Sequence, residues 1–200
     1  MSFLRSLPAE TGLLQIFQAF PEAARPLLQY HEVLLRGESP FSAAERELIA
    51  AYVSALNNCN YCRAVHSQTA VALGMSANAL ATLVGTPRCD VRTPQRGVPT
   101  RDPANEDVDV RMRPVLDFVR ELTLTPAKIT ASDVDPIYAA GWDDRALHDA
   151  VAICALFNLM NRLVNGLGVE APEAYTKMAA QRLAQHGYAE LLELLAAFAK

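Results

Sequence analysis

The sequence predicts an all-α fold, and three observations carry that prediction. Apolar residues recur at three- and four-residue steps along most of the chain, which marks one buried face per helix. No useful length alternates apolar and polar residues with a period of two, as a half-buried strand would. Residues that start and stop helices stand at the ends of the apolar runs. At 200 residues one domain is expected, with N-terminal helices over 1–41, a cysteine-bearing core over 42–84, a surface loop over 85–104 and C-terminal helices over 105–200.

The elements follow in order. From Pro8 to Arg36, Leu13, Leu14, Ile16, Phe17, Phe20, Leu27, Leu28, Val33 and Leu34 recur mostly at helical spacing, and Pro21 opens a second helix because a first turn needs no N–H there. Ser42 and Glu45 form a capping box, and the helix they start runs through Leu48, Ile49, Tyr52, Val53 and Leu56 to the turn-forming pair Asn57 and Asn58. A further apolar run covers Cys59 to Leu73, closed by Gly74, and Ser76 starts a short helix to Val84. Gly85 to Pro103 holds four prolines, two glycines and four arginines without periodicity and reads as a long surface loop. Helix resumes over Glu106 to Leu122, with a short piece over Asp133 to Ala140 ended by Gly141. Asp143 to Leu167 is the longest apolar stretch, with its charges near the ends, and reads as a central or intersubunit helix. Helices over Pro172 to Gln185 and Tyr188 to Ala199 complete the chain.

Composition narrows the function. Eighteen Lys plus Arg against 22 Asp plus Glu leave a net charge of −4, which argues against nucleic acid or an anionic membrane surface as the main partner. With 51% apolar and 20% charged residues the chain can bury a full core. No apolar run reaches the ~18 residues of a membrane span, and Met1 to Gly12 lacks a basic segment followed by an apolar one. A cytoplasmic location is therefore expected. Four cysteines are too few for a disulfide scaffold, and closely spaced ones in a reducing compartment point to redox or metal chemistry.

That spacing occurs once, at Cys59 and Cys62. The pair sits just after a turn and at the start of a helix, where backbone N–H groups and the macrodipole favour a thiolate. Two cysteines three apart on a first turn can also close a disulfide with little backbone change. His66 follows Cys62 by four residues, on the same helix face one turn on, where it can take the thiol proton or stabilise the thiolate. On one straight helix Glu47 would lie ~18 Å from Cys59. If Asn57 and Asn58 reverse the chain, Glu47 and His66 stand at similar heights across a helical hairpin, and Cys62, His66 and Glu47 form a proton-relay line. Two other readings of the pair stay open: an inert buried pair, or metal ligands with His66 and Glu47, although structural zinc prefers four sulfur or imidazole ligands.

The pattern of Glu47, Cys59, Cys62 and His66 resembles, position by position, the signature of the AhpD-like alkylhydroperoxidases within the carboxymuconolactone decarboxylase superfamily. The likeness is strongest over residues 42–74. A weaker one, from Gly141 and Trp142 through Phe157, Asn158, Asn161 and Arg162 to Val169, is similar to the peroxidase-related subgroup. The resemblance implies that Cys62 attacks a hydroperoxide, that Cys59 resolves the sulfenic acid as a disulfide, and that His66 and Glu47 carry protons. It implies an AhpD-like helical bundle, an external dithiol or lipoyl-type reductant and a homo-oligomer. No flavin or haem motif is present, so no organic cofactor is expected. Where well-known members carry a second histidine between the cysteines, this chain has Tyr61, which removes a possible proton donor. A redox-responsive binding protein with little turnover and a carboxymuconolactone decarboxylase-like enzyme are the alternatives.

The remaining candidates have plainer readings. Cys154 reads as core and Cys89 as an exposed loop residue. His31, His148 and His186 have no partner pattern and read as surface or packing residues. Asn158, Asn161 and Arg162 would satisfy buried groups or meet another subunit, with site support as the lesser reading; Tyr52 and Tyr61 would pack rather than line the site, and Glu45 would serve its capping box.

Overall fold

Helix α3 (Ala43–Leu56) is the axis of the fold, and its sequence shows why. Its cap forms as the sequence predicts: the Glu45 N–H donates to Ser42 Oγ at 3.2 Å, and Glu45 Oε2 accepts from the Ser42 N–H at 2.8 Å. Beyond the first turn Leu48, Ile49, Ala50, Ala51 and Val53 are all buried, so α3 is covered on nearly every side.

The structure, a computed structural model, describes residues 2–85 and 109–197. Before α3 come α1 (Leu13–Ala19) and α2 (Pro21–Arg36), with Pro21 in the first helical turn as expected. After it, Asn58 takes a left-handed φ of 53° and turns the chain into α4 (Asn60–Ala72). Glu47 meets His66 across this turn, so α3 and α4 form the antiparallel hairpin on which the relay depends. Next come α5 (Ala77–Val84), α6 (Met112–Leu124), two 3₁₀ turns and the short α7 (Asp135–Ala139). The last three helices are α8 (Asp144–Gly166), α9 (Glu173–His186) and α10 (Ala189–Ala197). No strand occurs among the described residues.

Of the helix expected from Glu106, residues 106–108 lie outside the described residues, and α6 starts at Met112. Asp109 to Arg111 form a turn in which Asp109 Oδ1 accepts from the Arg111 N–H at 2.9 Å, a local side-chain bond that competes with helix. The surface loop expected over 85–104, and Cys89 within it, fall outside the described residues apart from Gly85. Helix α8 packs on α3 and α6 and carries Ile153, Cys154, Phe157 and Val164 into the core. It is long and apolar enough to cross a membrane by length and composition, with a mean hydropathy of 1.2, but 56% of that stretch is buried within the fold. It is a core helix. Cys154 is buried beside Thr123 as a free thiol, in keeping with the core reading.

Candidate active site

Cys59 and Cys62 stand at the head of α4, Cys59 as its N-cap residue. Both thiols are free and buried, Cys59 completely and Cys62 with 2% of its surface exposed. The Cys59 N–H donates to the Ser54 carbonyl at 2.9 Å, which ties the start of α4 to the last turns of α3. The Cys62 thiol, set against burial and joined by the Cys62 backbone amide and the Asn161 side chain, lowers the Cys59 pKa to about 7. Its thiol neighbour, burial and the Cys59 charge push Cys62 well up. Of the two thiols Cys59 is therefore the one on which a negative charge is favoured, whereas the resemblance puts the attacking thiolate on Cys62.

Glu47 is the second focus. It is fully buried on α3, and its carboxylate accepts three hydrogen bonds: His66 Nδ1 at 2.6 Å, Arg36 Nη2 at 2.7 Å and the Tyr188 hydroxyl at 3.3 Å. Burial pushes its pKa up, but His66 and Arg36 outweigh burial and hold it below the ordinary 4.5. Arg36 also donates to the Leu183 and Leu35 carbonyls and lies over the Tyr188 ring at 5.3 Å. Tyr188 is held in turn by Glu32, whose Oε2 accepts from the backbone N–H groups of Tyr188 and Ala189 at 2.6 and 3.1 Å. Gly187 makes that approach possible: its φ is 63°, and a Cβ there would lie 2.8 Å from Glu32 Oε2.

The four residues predicted from the sequence thus fall in two adjoining groups on one hairpin. Glu47 and His66 are bonded to each other, and Cys59 and Cys62 act on each other electrostatically. No hydrogen bond joins His66 to Cys62. Asn161 of α8 completes the dithiol side, donating to Ser54 Oγ at 3.0 Å and accepting from Asn57 Nδ2 at 3.0 Å. Asn158 accepts from the same Asn57 amide at 3.1 Å and from Arg162 Nη1 at 2.9 Å. Asn158 and Asn161 therefore satisfy buried polar groups, and Asn161 also supports the cysteines, the lesser of the readings the sequence allows.

Arg36, Tyr188 and Asn57 are the site residues that sequence reasoning did not find. Arg36 carried only the signal of a cation in the last turn of a helix, and Tyr188 lies 141 positions from Glu47 with no local pattern linking them. Of the surface and packing readings for His31, packing fits: it is a buried residue beside the site, its ring 5.1 Å from Tyr188 and 5.9 Å from Phe157. His148 is on the surface and pairs with the buried Asp149 at 3.0 Å. Tyr52 is partly buried near the charged residues Asp117, Arg120 and Glu121 of α6.

A cavity of about 90 Å³ opens beside His66, between α1, α2, α4, α9 and Tyr188. His31, Tyr61, Tyr175 and apolar side chains line it; the cysteines do not. Tyr61 belongs both to the cavity wall and to the surroundings of the dithiol, since burial, Tyr175 and the two thiols together push its pKa well up. Among the described residues no group of three or more His, Cys, Asp or Glu is arranged to hold a metal ion.

Comparison with known proteins adds a family and a fold. Residues 21–95 match the carboxymuconolactone decarboxylase family. The fold is similar to that of an uncharacterized peroxidase-related protein from Silicibacter sp. TM1040, at 26% identity and a TM-score of 0.67, over 82% of this chain and 78% of that one. It is also similar to an uncharacterized peroxidase-related protein from Ralstonia eutropha JMP134, described as an alkylhydroperoxidase AhpD core. That match has 22% identity, a TM-score of 0.63 and coverage of 83% and 78%, and shows the fold. No curated protein matches the chain.

Proposed function

The chain is an AhpD-like member of the carboxymuconolactone decarboxylase superfamily, and we propose that it is a thiol-dependent peroxidase of small or organic hydroperoxides. The observation that carries this reading is the 2.6 Å bond between His66 and the buried Glu47, one helical turn from a free dithiol. That bond fixes the proton on Nδ1 and leaves His66 Nε2 able to take another.

The chemistry follows from these groups. A Cys62 thiolate attacks the outer oxygen of the hydroperoxide, the O–O bond breaks, and the sulfur becomes a sulfenic acid, oxidised by two electrons. The departing alkoxide takes the proton that His66 received from the thiol and leaves as the alcohol. Cys59 then attacks the Cys62 sulfur, its own proton leaving with the hydroxyl as water, and a disulfide remains. An external dithiol, lipoyl-type or otherwise, restores both thiols by exchange. The charge favoured on Cys59 fits the resolving step. It also requires that charge and proton exchange between the two thiols before attack, which their mutual contact supports. Such turnover belongs in a reducing compartment, and we take the chain to be cytoplasmic and homo-oligomeric.

The test is hydroperoxide consumption driven by dithiothreitol. Wild type should turn over tert-butyl hydroperoxide, Cys62→Ser should fall to the uncatalysed rate, and His66→Phe should lose ~10²-fold or more. Equal rates for wild type and Cys62→Ser would remove Cys62 from the mechanism. Burial of both sulfurs favours a second reading, a redox-responsive protein whose disulfide forms on oxidation with little turnover. In that case mass spectrometry would find Cys59 and Cys62 oxidised while consumption stops after one equivalent.

A further inference from the structure

A second buried imidazole faces the same cavity as His66, and the dithiol chemistry does not use it. His31 on α2 is 3% exposed, and its Nδ1 lies 2.8 Å from the Leu27 carbonyl, which can only accept. The proton is therefore on Nδ1, and Nε2 keeps a free lone pair. His31 Nε2 has no hydrogen-bond partner among the described residues. Phe157 stands edge-on to the His31 ring at 5.9 Å. Burial keeps the His31 pKa at about 4, so its lone pair persists at neutral pH.

The cavity therefore has an acceptor at His31 and an otherwise largely apolar wall that includes Leu28 and Met160. Two imidazoles fall short of the three protein ligands that a catalytic zinc needs. An apolar space that ends in an unpaired acceptor calls for a ligand with an apolar body and one donor. The volume of about 90 Å³ limits that body to a single ring, with the flexible Met160 and Met178 giving way around it. We propose that the cavity is a binding site for a single-ring phenol-type molecule whose O–H donates to His31 Nε2. This does not depend on the peroxidase reading, because that reading does not use His31.

The test uses phenol and fluorobenzene, which match in size and differ in the donor. Each is titrated into wild type and into a Cys59→Ser, Cys62→Ser double variant while histidine ring ¹⁵N shifts are followed by NMR. Phenol should saturate and move the His31 Nε2 resonance in both proteins, and fluorobenzene should bind about five- to tenfold more weakly without moving it. His31→Phe should erase the preference and leave fluorobenzene binding in place. Absence of saturation by phenol, equal binding of the two probes, or a preference that survives His31→Phe would overturn the proposal. Should His31→Phe not fold, the wild-type Nε2 shift decides the matter. Loss of peroxidase turnover with phenol binding intact would count against the proposed function alone.

Discussion

Replacing Glu47 by glutamine keeps the side-chain volume and removes one negative charge from a fully buried position. The carboxylate accepts from His66, Arg36 and Tyr188 at once. A carboxamide has one oxygen to accept with, and its NH₂ must face a donor, either Arg36 or His66. The Arg36 guanidinium, 13% exposed at its side chain, is left without its counter-charge. Breaking a buried ion pair from one side costs about 3–5 kcal/mol, a large share of the ~5–15 kcal/mol that stabilises a typical domain. For a chain of this length that corresponds to a fall in Tm of roughly 6–20 °C, read by circular dichroism at neutral pH. The pH dependence sharpens the test. Because the folded carboxyl lies below its ordinary 4.5, its contribution is fully present above that value and is lost as pH falls through the folded one. The gap between wild type and Glu47→Gln should therefore narrow on acidification. The double variant Arg36→Met, Glu47→Leu should recover part of the loss, since apolar groups can replace a buried pair at little cost. A Glu47→Gln protein within about 0.5 kcal/mol of wild type, or a gap that widens in acid, would refute the charged, three-bonded Glu47.

Other outcomes follow from the same geometry. Alkylation of the dithiol should rise with an apparent pKa of about 7, and Cys62→Ala should move it upward by removing the neighbour that most favours the Cys59 thiolate. Asn161→Leu should also raise it and slow iodoacetamide labelling at neutral pH, because the amide favours the charged form of either thiol. Gly187→Ala should cost about 1–3 kcal/mol in urea unfolding, since its backbone is in a glycine-only region and the new methyl meets Glu32. His31 should titrate at about 4 by NMR, and stability should fall as pH drops from 6.5 towards that value, because the unfolded imidazole binds its proton first.

The helices were legible because each carries its own local evidence. Ser42 and Glu45 cap α3 through atoms three residues apart, and the apolar spacing of α8 survives without any knowledge of its neighbours. The site was legible where it lies within one hairpin: Glu47 and His66 are 19 positions apart, and the turn at Asn57 and Asn58 is enough to bring them to one height. What could not be read depends on distant segments. Arg36 and Tyr188 reach Glu47 from α2 and from the turn before α10, and His31 resembles any buried histidine until the cavity beside it is known. The division of charge between the thiols was also hidden, because it turns on Asn161, a hundred residues on in α8. Local signals place chemistry on elements; only packing decides which groups tune it.

The most direct measurement is mass spectrometry of the reduced protein after one equivalent of tert-butyl hydroperoxide, compared with His66→Phe. The account predicts loss of two hydrogens, a peptide cross-linked through Cys59 and Cys62, and a much slower cross-link in the variant. Oxygen retained on an unlinked cysteine, oxidation at Cys89 or Cys154 instead, or equal rates in the two proteins would contradict it.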